Sequence, residues 1–388
     1  MYLSDAAKRL MGQPMFKVLS AIKDKERNGY DIVHFEIGDP DFNTPANVVE
    51  AACQSLKNGE THYTDSKGLY EFREMICKNN LKSRGFEPEL DQVMVSPGAN
   101  MLIFYAVACL VNPGEEVLVP DPGFPTYEAV LSLCQAKMVT VPLRKENGFR
   151  MQPADVKDRI TDKTRLIIVN SPNNPTGAVM TESELREITE IAKQHNVFVY
   201  SDEIYSRLNY GDIPFFSPGS IDHCKENVII ANGFSKAFAM TGWRLGTCIA
   251  PKELTEKMAL LLETTSSCVS PFLQRAGIEA INGDQNDVRH MMEVYHRRRD
   301  VLVEGLNSIP HIHCLTPEGA FYVFPDIRET GLTSAEFARM ALEVANVGLL
   351  PGNDFGPSGE GFVRLCYATS EDRIQEGIER LRKMVAQL

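Results

Sequence analysis

The sequence predicts an α/β fold, in which a large domain with a mostly parallel seven-stranded sheet flanked by helices is joined to a smaller α+β domain. Between about residues 90 and 250, short apolar runs alternate with helix-like segments, and each run ends in a turn rich in Gly, Pro or Asn. Runs such as RLIIVN and NVIIAN are continuously apolar, which is typical of strands covered on both faces. At 388 residues the chain is long enough for two domains.

The strands that we expect in the large sheet lie at 92–96, 116–120, 137–141, 165–170, 197–201, 228–231 and 246–250. The pattern then changes: residues 287–309 read as a long charged helix, followed by the strand-like runs GAFYVF and FVRLCYA and by a closing amphipathic helix. We therefore expect a large domain over 46–284 and a small domain made of 1–45 plus 285–388, with the N-terminal segment packed on the C-terminal part.

Composition and charge exclude several classes of function. The net charge of -12 leaves no basic stripe for a phosphate backbone, so we expect no nucleic-acid partner. The nine cysteines are scattered without a C-x-x-C pair, which favours a reducing compartment over a disulfide framework or a zinc ribbon. No apolar leader or membrane-spanning stretch is visible, so we expect no membrane association and a cytoplasmic protein.

The most specific motif is GFSKAFAMTGWRLG at 233–246, which lies between two predicted strands. A lysine amine condenses with an aldehyde only when it is deprotonated and positioned, and Lys236 stands in a loop of the kind that positions such a group. An ordinary surface lysine in a glycine-bounded loop is the alternative for an isolated Ser235-Lys236 pair. The full pattern, with Arg244 eight residues further on, favours the reactive lysine.

Further motifs follow other predicted strands, at the edge of the sheet where α/β proteins bind ligands. In VSPGANMLIFYAVACLV, Gly98 ends a strand and Ala99 and Asn100 open a helix, whose free N–H groups could bind phosphate. PDPGFPTYEAV contains Phe124, and NSPNNPTG contains Asn174 after a buried strand. Simple core packing is the alternative for Phe124.

Four motifs remain. VFVYSDEIYSRL places Asp202 and Tyr205 at a strand end, where Tyr205 could also be a core tyrosine. GFVRLCYATS carries Arg364, which could grip a carboxylate in a bidentate fork. HFEIGDPDFNTP carries Gly38, and HYT carries Tyr63.

Together these motifs resemble the class I and II aminotransferases, the fold type I pyridoxal-phosphate enzymes of the aspartate aminotransferase superfamily. The agreement runs along essentially the whole chain. The resemblance implies that the large domain binds pyridoxal phosphate and that Lys236 holds it as a Schiff base and is the catalytic residue. It also implies a homodimer with shared active sites, because Tyr63 would reach the cofactor phosphate of the neighbouring subunit.

The resemblance assigns the remaining site residues as well. Cofactor-binding residues would be Ala99, Asn100 and Arg244 at the phosphate, Phe124 on the ring face, Asn174 and Tyr205 at the ring oxygen, Asp202 at the ring nitrogen, and Ser235. Substrate would be bound by Gly38, Asn174 and Arg364. One position departs from the family: many members carry Ser or Thr where this chain has Gly233, so the phosphate would lose a hydroxyl donor that Ser235 could partly replace.

The implied reaction moves an amino group from an L-amino acid to a 2-oxo acid, 2-oxoglutarate or pyruvate, in ping-pong order. A C–S β-lyase on the same fold is the alternative, because the same carbanion can expel a β substituent. Residues 100–111 contain no Lys or Arg, which favours neutral or aromatic amino acids over dicarboxylates. We expect no metal, and we expect the H-x-H at 311–313 to lie in a surface strand.

Overall fold

The computed structural model describes residues 2–12 and 14–388 and contains the predicted seven-stranded sheet. The strands along the described chain are β1 Val33–His34, β2 Val93–Ser96, β3 Glu116–Asp121, β4 Lys137–Pro142, β5 Thr164–Asn170, β6 Phe198–Asp202, β7 Val228–Gly233, β8 Gly246–Ile249, β9 Tyr322–Val323, β10 Val347–Gly348, β11 Leu350–Pro351 and β12 Val363–Cys366. In spatial order the strands of the large sheet are β2, β8, β7, β6, β5, β3 and β4, and β8 alone runs antiparallel to its neighbours. The predicted fold class is therefore confirmed.

Helices cover both faces of this sheet, as the apolar strands require. In β5, Ile167 and Val169 belong to one apolar core, whereas Leu166 and Ile168 belong to the core on the opposite face. The described helices are α1 Asp5–Lys8, α2 Met15–Arg27, α3 Ala46–Lys57, α4 Tyr70–Arg84, α5 Ala99–Leu110, α6 Thr126–Leu133, α7 Pro153–Lys157, α8 Glu182–Gln194, α9 Gly219–Asp222, α10 Lys252–Ser266, α11 Pro271–Asn282, α12 Asn286–Asn307, α13 Ser334–Glu343 and α14 Glu371–Val385.

A third apolar core lies among the C-terminal elements. The antiparallel strands β11, β12 and β9 form a small sheet, and α12 and α14 pack beside it. The N-terminal strand β1 pairs in parallel with β10, and Val33 and Phe35 are fully buried in the same core. This pairing links the N-terminal segment to the C-terminal part of the chain.

One local expectation is wrong. The H-x-H segment does not form a surface strand, because His311 lies in a turn with a left-handed φ of 68°. His313 makes a single bridge to Asp326, and both histidines approach Glu329. In the part of the chain that the structure describes, no helix combines the length and apolar character needed to cross a bilayer.

Candidate active site

A cavity of about 220 Å³ opens at the carboxyl ends of the parallel strands. Asn170 ends β5 and Asp202 ends β6, while Ser235 and Lys236 follow β7, so the strand ends bring these side chains together. The predicted site residues that line the cavity are Gly38, Ala99, Asn100, Phe124, Asn174, Asp202, Tyr205, Ser235, Lys236, Arg244 and Arg364. Tyr63 is not among them: its side chain is 86% exposed in the single chain.

Lys236 is held by the segment that follows β1. Its Nζ donates a hydrogen bond to the carbonyl oxygen of Gly38 and lies 5.5 Å from the centre of the Phe321 ring. Burial lowers the pKa of Lys236 to about 8, and the positive charges of Arg364 and Arg244 act in the same direction. About a tenth of this amine is therefore neutral, and hence nucleophilic, at pH 7, far more than at the ordinary pKa of 10.5.

The N-terminus of α5 forms one wall of the cavity. Gly98 precedes the helix with a left-handed φ of 82°, and a Cβ placed on it would come within 2.5 Å of Arg244 Nη2. The free N–H groups of the first helical turn and the Arg244 guanidinium thus lie side by side. Arg244 is itself held by a 2.9 Å hydrogen bond to the carbonyl of Thr241. This arrangement suits a phosphate dianion.

Asp202 is a buried carboxylate that faces the same cavity. It accepts hydrogen bonds from the hydroxyl of Tyr127 at 2.7 Å and from the backbone N–H of Ile204 at 3.3 Å. Among the described residues no cation pairs with it, and burial raises its pKa to about 6. A bound ligand with a protonated ring nitrogen would stabilise the negative charge of this carboxylate.

Phe124 and Tyr205 lie on two further sides. The ring of Phe124 lines the cavity and meets Tyr127 edge-on, with 5.8 Å between the ring centres. The hydroxyl of Tyr205 lies 2.8 Å from that of Tyr322, and burial raises the pKa of both phenols. Tyr205 is thus buried, as a core tyrosine would be, but its hydroxyl belongs to a polar pair at the cavity.

Arg364 projects from β12 and is almost fully buried. Its Nη1 donates to Asn174 Oδ1 at 3.2 Å, and its Nη2 donates to the carbonyl oxygen of Glu36 at 2.5 Å. The guanidinium stacks on Tyr322, 4.5 Å from the ring centre, while its buried Nε has no hydrogen-bond partner among the described residues. A buried unpaired donor is costly, and a substrate carboxylate would satisfy it.

Sequence reasoning missed two tyrosines of this site. Tyr127 holds Asp202 from a helix 75 residues earlier, and Tyr322 meets Tyr205 from a strand 117 residues later. Each stands inside a motif noted for another reason, PDPGFPTYEAV and GAFYVF, but neither motif indicates which distant side chain its tyrosine meets.

The structure also accounts for Gly233, the position at which the chain departs from its family pattern. A Cβ at this residue would lie 2.8 Å from Ile204 Cδ1 and 3.2 Å from the carbonyl of Leu245. The packing around β7 therefore leaves no room for Ser or Thr without a shift. Ser235, which lines the cavity, remains the nearby hydroxyl.

Comparison with known proteins identifies the family of the chain. The sequence model of the family described as aminotransferase class I and II matches residues 30–381. The chain is 40% identical to an aspartate aminotransferase of Pyrococcus horikoshii over 91% of this chain and 90% of that protein. It is 38% identical to aromatic-amino-acid aminotransferase 2 of Thermococcus litoralis, over 91% and 92% of the two chains.

A solved structure shows the same architecture. The aspartate aminotransferase from Thermus thermophilus with maleate superposes with a TM-score of 0.94 at 34% identity, covering 99% of this chain and 100% of that one. The family match covers far more than half of the chain, and the predicted site residues other than Tyr63 line one cavity. The protein therefore belongs to the class I and II aminotransferases and is a transaminase.

Proposed function

We propose that this transaminase depends on pyridoxal phosphate and moves an amino group from an L-amino acid to 2-oxoglutarate or pyruvate by a ping-pong mechanism. The observation that carries the proposal is the meeting of Lys236 and Arg364 in one cavity. An amine with a lowered pKa can bind an aldehyde there, and a buried guanidinium whose Nε has no partner in the described part of the chain can bind a carboxylate.

The residues present fit the cofactor. The helix N-terminus at Ala99 and Asn100, with Arg244 and Ser235, offers donors for the phosphate. Asp202 supplies a buried negative charge for the ring nitrogen. Phe124 would stack on the ring, and Asn174 and Tyr205 would donate to the ring oxygen. When bound, pyridoxal phosphate supplies an electron sink for negative charge at the substrate α carbon.

Each side chain of the site then has its own role in the reaction. Arg364 and Asn174 orient the substrate by its α-carboxylate, and the backbone of Gly38 lies close to it. Lys236 Nζ would take the proton from the substrate α carbon, hold it as an ammonium group and release it to the cofactor from the same side, a role suited to an amine with a pKa of about 8. Asp202 would keep the nitrogen of the bound cofactor ring protonated, and Tyr127 holds this carboxylate through its hydroxyl hydrogen bond.

We propose neutral or aromatic amino acids as donors. Among the described residues that line the cavity, the cations are Lys236, Arg244 and Arg364, and each already has a task. The other walls include the apolar side chains of Met15, Ile103, Phe124, Leu350 and Phe355. The aromatic specificity in the name of the Thermococcus litoralis relative supports this choice, whereas the aspartate specificity named for the Pyrococcus horikoshii relative argues against it.

The proposal also covers the cellular location, the oligomeric state and the domain bounds of the enzyme. We propose a cytoplasmic homodimer in which Tyr63 reaches the phosphate of the neighbouring active site. The exposure of Tyr63 and of Tyr70, 86% and 60%, supports a partner surface there. We further propose a large domain over 46–284 and a small domain of 1–45 plus 285–388, in line with the pairing of β1 and β10.

A product assay tests the reaction type. Purified enzyme loaded with pyridoxal phosphate is given single amino acids with 2-oxoglutarate or pyruvate, and the new amino acid and the new 2-oxo acid are both quantified. We expect equimolar products, fastest with aromatic or neutral donors. Pyruvate and ammonia formed from cysteine conjugates without any acceptor would indicate the β-lyase instead, and fastest turnover with aspartate would refute the proposed donor class.

A further inference from the structure

Glu36 is a buried carboxylate that the proposed mechanism does not use. Its side chain has no exposed surface. One oxygen, Oε1, lies 2.8 Å from Nδ1 of His34, and the other, Oε2, has no hydrogen-bond partner among the described residues. A buried carboxylate with a single contact is costly to fold, so its presence beside the active site calls for a reason.

The surrounding backbone is shaped to admit this carboxylate. Gly348 pairs with His34 between β1 and β10, and a Cβ at Gly348 would lie 2.5 Å from Glu36 Oε2 and 2.5 Å from Ile22 Cδ1. The segment itself is fixed on both sides, because Phe35 N donates to Gly348 O and Cys366 N donates to Phe35 O, each at 2.8 Å. The backbone hydrogen bonds of Phe35 therefore hold the segment that carries Glu36 in a defined place.

His34 connects this carboxylate to the protein surface. While Nδ1 contacts Glu36, Nε2 lies 3.0 Å from Oε1 of Glu26 on α2. Because ionised carboxylates only accept hydrogen bonds, the ring satisfies both partners only when both nitrogens carry a proton. The imidazolium form of His34 is thus the form that links α2, β1 and Glu36.

The backbone of the same segment contacts the two principal cations of the site. The carbonyl oxygen of Glu36 accepts from Arg364 Nη2, and the carbonyl oxygen of Gly38, two residues on, accepts from Lys236 Nζ. Any rotation of the segment at Glu36 would move the acceptor that fixes one arm of the Arg364 guanidinium.

We propose that Glu36, held by His34, is a positioning residue for Arg364 and thereby sets the affinity of the enzyme for the α-carboxylate of its substrates. The inference rests on the proposed role of Arg364 in carboxylate binding. Glu36 touches neither substrate nor cofactor in this account. It keeps its own carbonyl oxygen aimed at Nη2, so that Nε and Nη1 stay oriented toward the cavity.

The test compares Glu36→Gln and His34→Ala with Glu26→Gln in the dimeric enzyme loaded with pyridoxal phosphate. We expect the first two variants to raise the KM for the amino donor about tenfold with kcat within about threefold of the wild type, the pattern of lost ground-state binding. The inhibition constant of 3-phenylpropionate, a carboxylate without an amino group, should rise in parallel. Glu26→Gln, which alters an exposed partner, should change neither constant by more than about twofold.

Several outcomes would overturn the inference. A wild-type KM and inhibition constant in both Glu36→Gln and His34→Ala would show that the pair does not position Arg364. Equal losses in cofactor affinity and kcat would indicate general structural damage. If Glu36→Gln fails to fold, His34→Ala carries the comparison, because His34 is 43% exposed. A wild-type enzyme that binds no cofactor and turns over no donor would instead refute the proposed function itself.

Discussion

At the scale of single residues, the active site is a set of charged groups whose protein partners are incomplete. Arg364 keeps a buried Nε without an acceptor, and Asp202 is buried without a cation among the described residues. Lys236 has a backbone carbonyl as its hydrogen-bond acceptor. Each of these groups is costly in the protein alone and would be stabilised by a bound cofactor or substrate of complementary charge.

Asp202 allows a test of this view. Its folded pKa, about 6, lies above the ordinary value of 3.8, so in cofactor-free protein its ionisation opposes folding. The folded state then binds more protons than the unfolded state, and stability falls as pH rises from about 4 to about 6. We expect Asp202→Asn to be more stable than the wild type at pH 7, by on the order of 1–3 kcal/mol, and to lose this advantage below pH 4.

The same variant should lose activity. Without the carboxylate the ring nitrogen would not stay protonated, so we expect the kcat of the loaded enzyme to fall by two orders of magnitude or more. Urea unfolding of cofactor-free protein at pH 4 and pH 7 and steady-state kinetics provide the two measurements, with the exposed Asp212→Asn as control. A variant that is less stable and fully active would contradict the role assigned to Asp202.

At the scale of elements, the sequence indicated the sheet well because burial on both faces leaves a plain signal. Continuously apolar runs such as the one at β5 can be recognised without knowledge of their neighbours. The contacts of Tyr127 with Asp202 and of Tyr322 with Tyr205 carry no such signal, because they join segments far apart in the chain. The buried position of the Glu36 carboxylate carries no such signal either, because Gly348, which leaves room for it, comes near only through the pairing of β1 with β10.

In the H-x-H segment at 311–313, by contrast, the sequence pattern predicts a strand that the structure does not contain. Alternation of two histidines around Ile312 is typical of an exposed strand, yet the left-handed φ of His311 places a turn there. Ile312 is buried all the same, in the apolar core to which α12 and the small sheet contribute. Three residues are too few for the pattern to distinguish a strand from a turn.

The N-terminus of α5 gives a second test. A methyl group in Gly98→Ala would clash with Arg244 Nη2, because the built Cβ lies only 2.5 Å away. We expect the dissociation constant for pyridoxal phosphate to rise at least tenfold, measured by equilibrium titration of cofactor absorbance. Gly85→Ala is the control for a positive φ alone, 79° against 82°, since ψ is 6° at Gly85 and 160° at Gly98. No described residue lies within 4 Å of the Cβ position of Gly85.

Two outcomes would contradict this account of the phosphate site. Unchanged cofactor affinity in Gly98→Ala would mean that Arg244 does not bind the phosphate from its present position. An equal loss of affinity in Gly85→Ala would assign the effect to backbone strain.

At the scale of the whole molecule, the cavity is assembled from nearly the full length of the chain. Its lining extends from Pro14 and Met15 to Arg364, so the N-terminal segment and the C-terminal strands close over the edge of the large sheet. The exposed Tyr63 shows that one predicted contributor lies outside the cavity of its own chain. A shared active site would explain both its exposure and its position in a family motif.

Hybrid dimers test this sharing directly. Lys236→Ala and Tyr63→Ala subunits, each expected to be strongly impaired as homodimers, are co-expressed with different tags, and the mixed dimer is isolated. One of its two sites then combines an intact Lys236 with an intact Tyr63 from the partner, so we expect about half of the wild-type activity per dimer. A mixed dimer no more active than its two parents, or a fully active Tyr63→Ala homodimer, would show that Tyr63 does not serve the neighbouring site.

The central claim is that Lys236 binds pyridoxal phosphate and transfers the proton of the donor amino acid. The most direct measurement is the near-ultraviolet and visible absorbance of the wild type and of Lys236→Ala, each loaded with pyridoxal phosphate and titrated with single amino acids without acceptor. In the wild type we expect a cofactor absorbance band whose wavelength changes rapidly when a donor amino acid is added. In Lys236→Ala we expect no such rapid change. A wild type without a cofactor band, or a variant that shifts as fast as the wild type, would contradict the claim.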